Sequence, residues 1–151
     1  MAQKRYAVAC NGAAAAAPMP VGYIGCTAAQ RARIYEFMVG PSPTAPADQA
    51  VQLTIKRTTA APTGGSAVTP APLDANEVAA VCSARSADTT EATFGTTLFQ
   101  FGLNIRGTYR WVAAPDCEFM GTAGAATGLE LSKTAESTAN VQEYGCLMFF
   151  E

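Results

Sequence analysis

Asp116 and Glu118 stand two residues apart, so on an extended chain both carboxyls project from one face. Two carboxylates facing a sugar across a gap are the working parts of a glycoside hydrolase. Such a site also calls for an aromatic-lined cleft, and Trp111 is the single tryptophan of the chain. The competing reading of the pair is a solvated hairpin end. Other chemistry is scarce. The chain has no histidine, which removes the commonest general base and the commonest metal ligand. Neither a Ser-His-Asp nor a Cys-His site can be assembled from such a chain. Five cysteines, Cys10, Cys26, Cys82, Cys117 and Cys146, show no CxxC spacing. They are expected to be free, mostly buried thiols, as in a protein folded in a reducing compartment. No phosphate loop and no dinucleotide fingerprint occurs, and "GTAGAATG" reads as a surface turn. No catalytic residue, metal or cofactor is expected.

Arginines make the second group. Arg31, Arg33, Arg106 and Arg110 each sit in or beside an alternating stretch, and a guanidinium can bind a carboxylate with two parallel bonds. In an oligomer they could reach Glu36 or Asp116 across an interface. As lone surface residues they would blunt a sheet edge. Tyr35 and Trp111 join them as interface candidates, because large aromatics anchor protein contacts. Trp111 is equally readable as a core residue.

The elements that would carry these residues are strands. "KRYAVAC", "RARIYEFMVG", "AVQLTIKRTT", "TLFQFGLNIRG", "TYRWVAAP", "CEFMG", "GLELS" and "VQEYGCLMFFE" all read as extended. The clearest alternation sets Phe99, Phe101, Leu103 and Ile105 against Gln100, Gly102, Asn104 and Arg106. In "AVQLTIKRTT", Val51, Leu53 and Ile55 oppose Gln52, Thr54 and Lys56. At the end of the chain, Leu147 and Phe149 oppose Cys146, Met148 and Phe150. "RARIYEFMVG" is less tidy. Strict alternation puts Arg31, Arg33, Tyr35, Phe37 and Val39 on one side and Ala32, Ile34, Glu36 and Met38 on the other, so neither side is cleanly apolar. Such mixed faces suit a strand with one side on the core and one on a neighbour. One short helix is expected in "LDANEVAAVCSAR", residues 73–85, where Asp74 and Glu77 could form a capping box. Proline- and glycine-rich loops separate the strands. The pattern implies an all-β fold: one domain over residues 1–151, an antiparallel β-sandwich or jelly-roll-like arrangement. Residues 11–22 read as an alanine-rich insert, either a loop or an arm ordered only against a partner.

Totals narrow the function classes. The chain has 151 residues, 10 basic and 12 acidic, with a net charge of −2. There is no basic field for nucleic acid and no basic amphipathic helix for a membrane surface. Charged residues make up 15%, below the quarter usual in soluble domains, and apolar residues 49%, many of them alanine. A surface so poor in charge leans towards an assembly. No signal peptide and no spanning helix is read.

The stretches "RARIYEFMVGPSPTAPADQAVQLTIKRTTA" and "TYRWVAAPDCEFMG", with "VTPAPLD" between them, resemble small virion proteins of tailed bacteriophages, specifically the capsid-associated decoration or cement proteins. The resemblance covers roughly residues 29 to 121. It does not extend to the alanine-rich N-terminal insert or the "PDCEF" continuation. It implies a β-sandwich-like module made in the host cytoplasm and carried on the capsid surface of the virion. The module would be a homo-oligomer, a trimer by resemblance, bridging subunits of the major capsid protein lattice without catalysis. The alternative is a phage tail or receptor- or glycan-binding module.

Overall fold

Alternating side chains and frequent turn residues leave the backbone paired almost entirely between strands. The computed structural model describes residues 3–12, 18–41, 50–104, 106–133 and 143–151. Among them there is no helix. Twelve strands follow in order: β1 (Arg5–Asn11), β2 (Met19–Gly25), β3 (Arg33–Pro41), β4 (Ala50–Ala60), β5 (Ser66–Val68), β6 (Ala71–Pro72), β7 (Ser83–Ser86), β8 (Thr93–Asn104), β9 (Tyr109–Val112), β10 (Phe119–Met120), β11 (Gly128–Lys133) and β12 (Glu143–Phe150).

They form two antiparallel sheets packed as a β-sandwich. One runs β10-β3-β12-β1-β6, with β9 also paired to β3; the other runs β5-β7-β2-β11-β4-β8. The core between them takes Tyr6, Val8, Ile34, Phe37, Leu147 and Phe149 from the first sheet and Val21, Ile24, Leu53, Ile55, Leu129 and Leu131 from the second. All of these are essentially inaccessible. Close approach of the sheets needs Gly22: a Cβ there would lie 2.5 Å from the Cys10 sulfur and 3.2 Å from Leu147. At one end of the sandwich, Lys133 Nζ meets Glu143 Oε2 at 2.8 Å, both side chains fully buried. A buried pair of this kind is held by mutual neutralisation, since neither charge could remain there alone.

The eight strands read from the sequence all form, and the alternation of β4 and β8 places its apolar residues inward as expected. Ile105 lies outside the described residues. Two expectations are corrected. Of residues 11–22, assigned to the alanine-rich arm, Asn11 closes β1 and residues 19–22 belong to β2, a strand buried along its whole length between β7 and β11. The pairing of β2 with β11 slips at Val21, so Val21 and Ile24 both reach the core three residues apart. That bulge removes the period of two by which a strand is recognised, and Pro20 sits at it, where a strand tolerates proline. Residues 13–17 of the arm lie outside the described residues. The helix expected at 73–85 does not form. Asp74 does build a turn, its carbonyl accepting from Glu77 N–H (2.9 Å) and its carboxylate from Asn76 N–H (2.9 Å). Glu77 turns to the N–H of Val78 rather than back to the cap. An alanine stripe buries too little area to hold a helix on the sandwich, and the chain pairs with β2 as β7 instead.

A candidate interaction surface on the outer sheet face

In β1, β3, β12 and β9 the inward residues fill the core, so the intervening residues share the outer face of that sheet. The register sets them in rows. Ala9, Cys146, Met38 and Arg110 lie side by side, and Ala7, Met148, Glu36 and Val112 form the next row. Tyr144 and Gly40 stand beyond the first row, Phe150 and Arg5 beyond the second. Met38 is 37%, Tyr144 47% and Val112 52% exposed. A shallow depression of about 290 Å³ opens between Met38, Gly40, Thr108, Tyr144 and Cys146. Four strands at ~4.8 Å spacing and three rows at ~6.8 Å give the face a footprint of about 400 Å², largely apolar but including Glu36 and Arg110. That lies within the roughly 300–600 Å² of the largest patch on a typical monomer, a patch that is often functional.

The charges on this face are bound within the chain. Arg110 Nε donates to Glu36 Oε1 at 2.6 Å, on the adjacent strand. That bond, with the attraction of the same carboxylate, raises the already high pKa of the guanidinium. Arg33 Nη2 donates to Glu118 Oε2 at 2.9 Å. Backbone N–H donation holds the Glu118 carboxyl below its ordinary pKa, burial opposes this, and Arg33 adds to the lowering. Arg5 lies over the ring of Phe150, 5.5 Å from its centroid, and Tyr35 stacks on the same ring at 4.4 Å. The arginines thus find their partners in their own subunit, leaving the middle of the face without free charge.

The structure places the interface candidates in three settings. Arg33, Tyr35 and Arg110 lie on this outer face or its margin. Trp111 points inward, half-buried, stacked on Phe119 (4.3 Å between centroids) and Phe37 (5.5 Å). Arg31 and Arg106 are exposed and stand apart, Arg31 beside Arg57 and Met120, Arg106 in the turn after β8. Asp116 occupies a left-handed turn, φ 63°, on the surface, whereas Glu118 is bound to Arg33, so the two carboxyls have unlike surroundings. Among the described residues no group of three or more His, Cys, Asp or Glu side chains could hold a metal ion. The five cysteines are free, with Cys10, Cys26 and Cys82 buried and Cys117 exposed. Burial pushes the Cys10 and Cys82 thiols up to about 12, the unreactive protonated form. Among the described residues no helix is long and apolar enough to cross a membrane.

Met38, Tyr144, Cys146, Met148 and Val112 were not among the candidates. β12 carried the signal: Cys146, Met148 and Phe150 are as apolar as Leu147 and Phe149. A strand apolar on both faces usually has both faces covered. Compared with family models, with curated proteins and with solved structures, the chain matches none.

Proposed function

We propose that this protein is a structural virion protein that decorates or cements a tailed-phage capsid, docking on the major capsid protein lattice through the outer face of the β10-β3-β12-β1-β6 sheet. The observation that carries the reading is that largely apolar face, with Arg33 and Arg110 already paired to carboxylates of the same subunit. The resemblance of residues 29 to 121 supplies the shell as partner. Size supports this mode of action. A patch of about 400 Å² is half of what one partner contributes to a standard stable interface, so a single contact is weak. Repetition over a symmetric lattice turns many weak contacts into durable binding. Binding the assembled shell better than loose subunits then stabilises the particle by mass action.

The test is co-sedimentation with shells assembled from the major capsid protein encoded alongside this chain. Wild type is expected to pellet with the shells. The double variant Met38→Lys/Val112→Lys places two charges on exposed positions that the fold tolerates, and it is expected to bind about tenfold or more weakly. Equal binding by both proteins would remove the outer face from the reading. Absence of wild-type binding, with retention on cell-envelope glycans instead, would replace the capsid by a receptor-binding role.

A further inference from the structure

A sandwich of two open sheets has four edges, and three of them here are blunted. β5 is three residues long. β6 is two residues long and ends in proline. The edge beside β3 is split into β9 and β10, with Pro115 and the left-handed Asp116 between them. Short strands, prolines and breaks are how soluble β-proteins stop strangers from adding to a sheet. The fourth edge lacks these devices. β8 runs twelve residues from Thr93 to Asn104 without a charge or a proline, and among the described residues nothing pairs with its far side. Its first half is kinked by register shifts against β4, but Phe99–Asn104 is regular. From Phe99 to Leu103 that segment offers about 17 Å of edge, along which every second residue turns its N–H and C=O away from β4.

The same side of the sandwich carries a half-exposed aromatic seam. Phe101 stacks on Tyr109 at 4.2 Å, and Phe99 reaches Phe119 at 5.7 Å and Trp111 at 6.0 Å. These rings bridge β8 to β9 and β10, so they close the gap between the sheets while remaining partly open to water. Half-desolvated aromatics beside unsatisfied backbone are the features of an interface centre.

We propose that β8 pairs with β8 of a second copy of this chain, antiparallel about a twofold axis through Phe101, joining the two β8-edged sheets into one. The occupant follows from the edge. Unpaired main-chain groups call for an extended strand, and a segment with no charge meets no repulsion from its own copy. With Phe101 opposite Phe101, Phe99 falls opposite Leu103 and Gln100 opposite Gly102. Apolar residues then continue the inner row across the axis, and polar ones the outer row. The twofold also brings the two aromatic seams together. One strand pairing antiparallel with itself makes a dimer, where the resemblance implies a trimer. This pairing stands apart from shell binding, which uses the opposite sheet.

Two exposed positions test it. A side chain at 102 fits the folded subunit, because a Cβ on Gly102 meets nothing within 4 Å. In Gln100→Lys/Gly102→Lys, like charges face each other twice across the axis. In Gln100→Glu/Gly102→Lys, the same positions form two opposite-charge pairs. Sedimentation velocity over a dilution series is expected to show a wild-type dimer. The double-lysine variant should dissociate at about tenfold or more higher concentration, and the glutamate–lysine variant should recover the dimer. Hydrogen exchange on wild type should show the Phe99–Leu103 amides that point away from β4 protected in concentrated solution and released on dilution, a readout independent of any variant. The proposal is overturned by a wild-type monomer, by an oligomer indifferent to the lysines, or by a glutamate–lysine variant that does not recover. Amides of β8 protected only on adding shells would also overturn it and assign the edge to a capsid segment.

Discussion

Replacing Phe37 by alanine is expected to cost about 3–5 kcal/mol, lowering the melting temperature by roughly 10 °C. Phe37 is wholly buried and touches four rings, as many as the half-buried Phe99: Trp111 at 5.5 Å, Phe101 at 5.9 Å, Tyr109 at 6.0 Å and Phe99 itself at 6.4 Å. Truncation leaves a cavity that the surrounding rings fill poorly, because they are tied to two different strands, β8 and β9. Each ring pair adds roughly 0.5–1.5 kcal/mol beyond its area, so the upper end of the range applies. Tyr35→Ala is the control. On an unbroken strand Tyr35 and Phe37 share a face and the two substitutions cost alike. In the structure, β3 slips against β12 between Met148 and Phe149: Met148 faces Glu36, but Phe149 faces Ile34. Tyr35 is therefore turned outward onto Phe150 while Phe37 points into the core. Tyr35→Ala should cost about 1 kcal/mol or less. Chemical denaturation of the two variants decides, and equal losses would mean that the strand has no bulge.

That bulge explains what could be read from the sequence and what could not. β8 and β4 keep strict phase over the stretch that pairs Val51 with Leu103 and Ile55 with Phe99, and there the inward residues are those the alternation names. In β3 the phase flips between Ile34 and Phe37. Strict alternation then groups Phe37 with the outward Arg33 and Tyr35, and the strand looks mixed on both faces. β2 shows the same failure in stronger form, since a bulge and a proline together hide a central strand. Bulges are set by tertiary pairing, here with β11 and β12, which lie more than a hundred residues away. No local pattern encodes them. The candidate surface was half legible for the same reason. The arginines on it were visible as residue types, but their partners Glu36 and Glu118 follow from register, and so does the row of Met38 and Cys146 that makes the face apolar.

Folding stability is expected to fall as pH rises from about 4.5 to about 8, and Glu130→Gln is expected to remove most of that fall. Glu130 is fully buried on β11. Its Oε2 accepts from the Ala92 N–H at 3.1 Å, and its Oε1 has no hydrogen-bond partner among the described residues. Burial pushes its carboxyl up to about 8 against the lowering effect of that N–H; Glu91 and Asp88 add to the rise and Lys56 opposes it. The folded protein therefore keeps a proton that the unfolded chain releases near its ordinary value. More protons bound in the folded state means stability lost with rising pH, at a slope approaching ~1.4 kcal/mol per unit until the folded group itself ionises. Above about 8 both states are charged and the slope from this group ends. Other shifted groups act outside the window. Glu118, whose pKa is lowered, adds stability as pH rises through the acid range below it, and Cys10, Cys82 and Tyr23, at about 12, titrate above it. Glutamine keeps the shape and an acceptor for Ala92 without the charge. Denaturant midpoints measured from pH 5 to pH 8 should decline for wild type and stay nearly level for Glu130→Gln. Parallel declines would mean that the buried carboxyl is not the titrating group, and a wild type that gains stability over this range would mean that its proton is lost on folding.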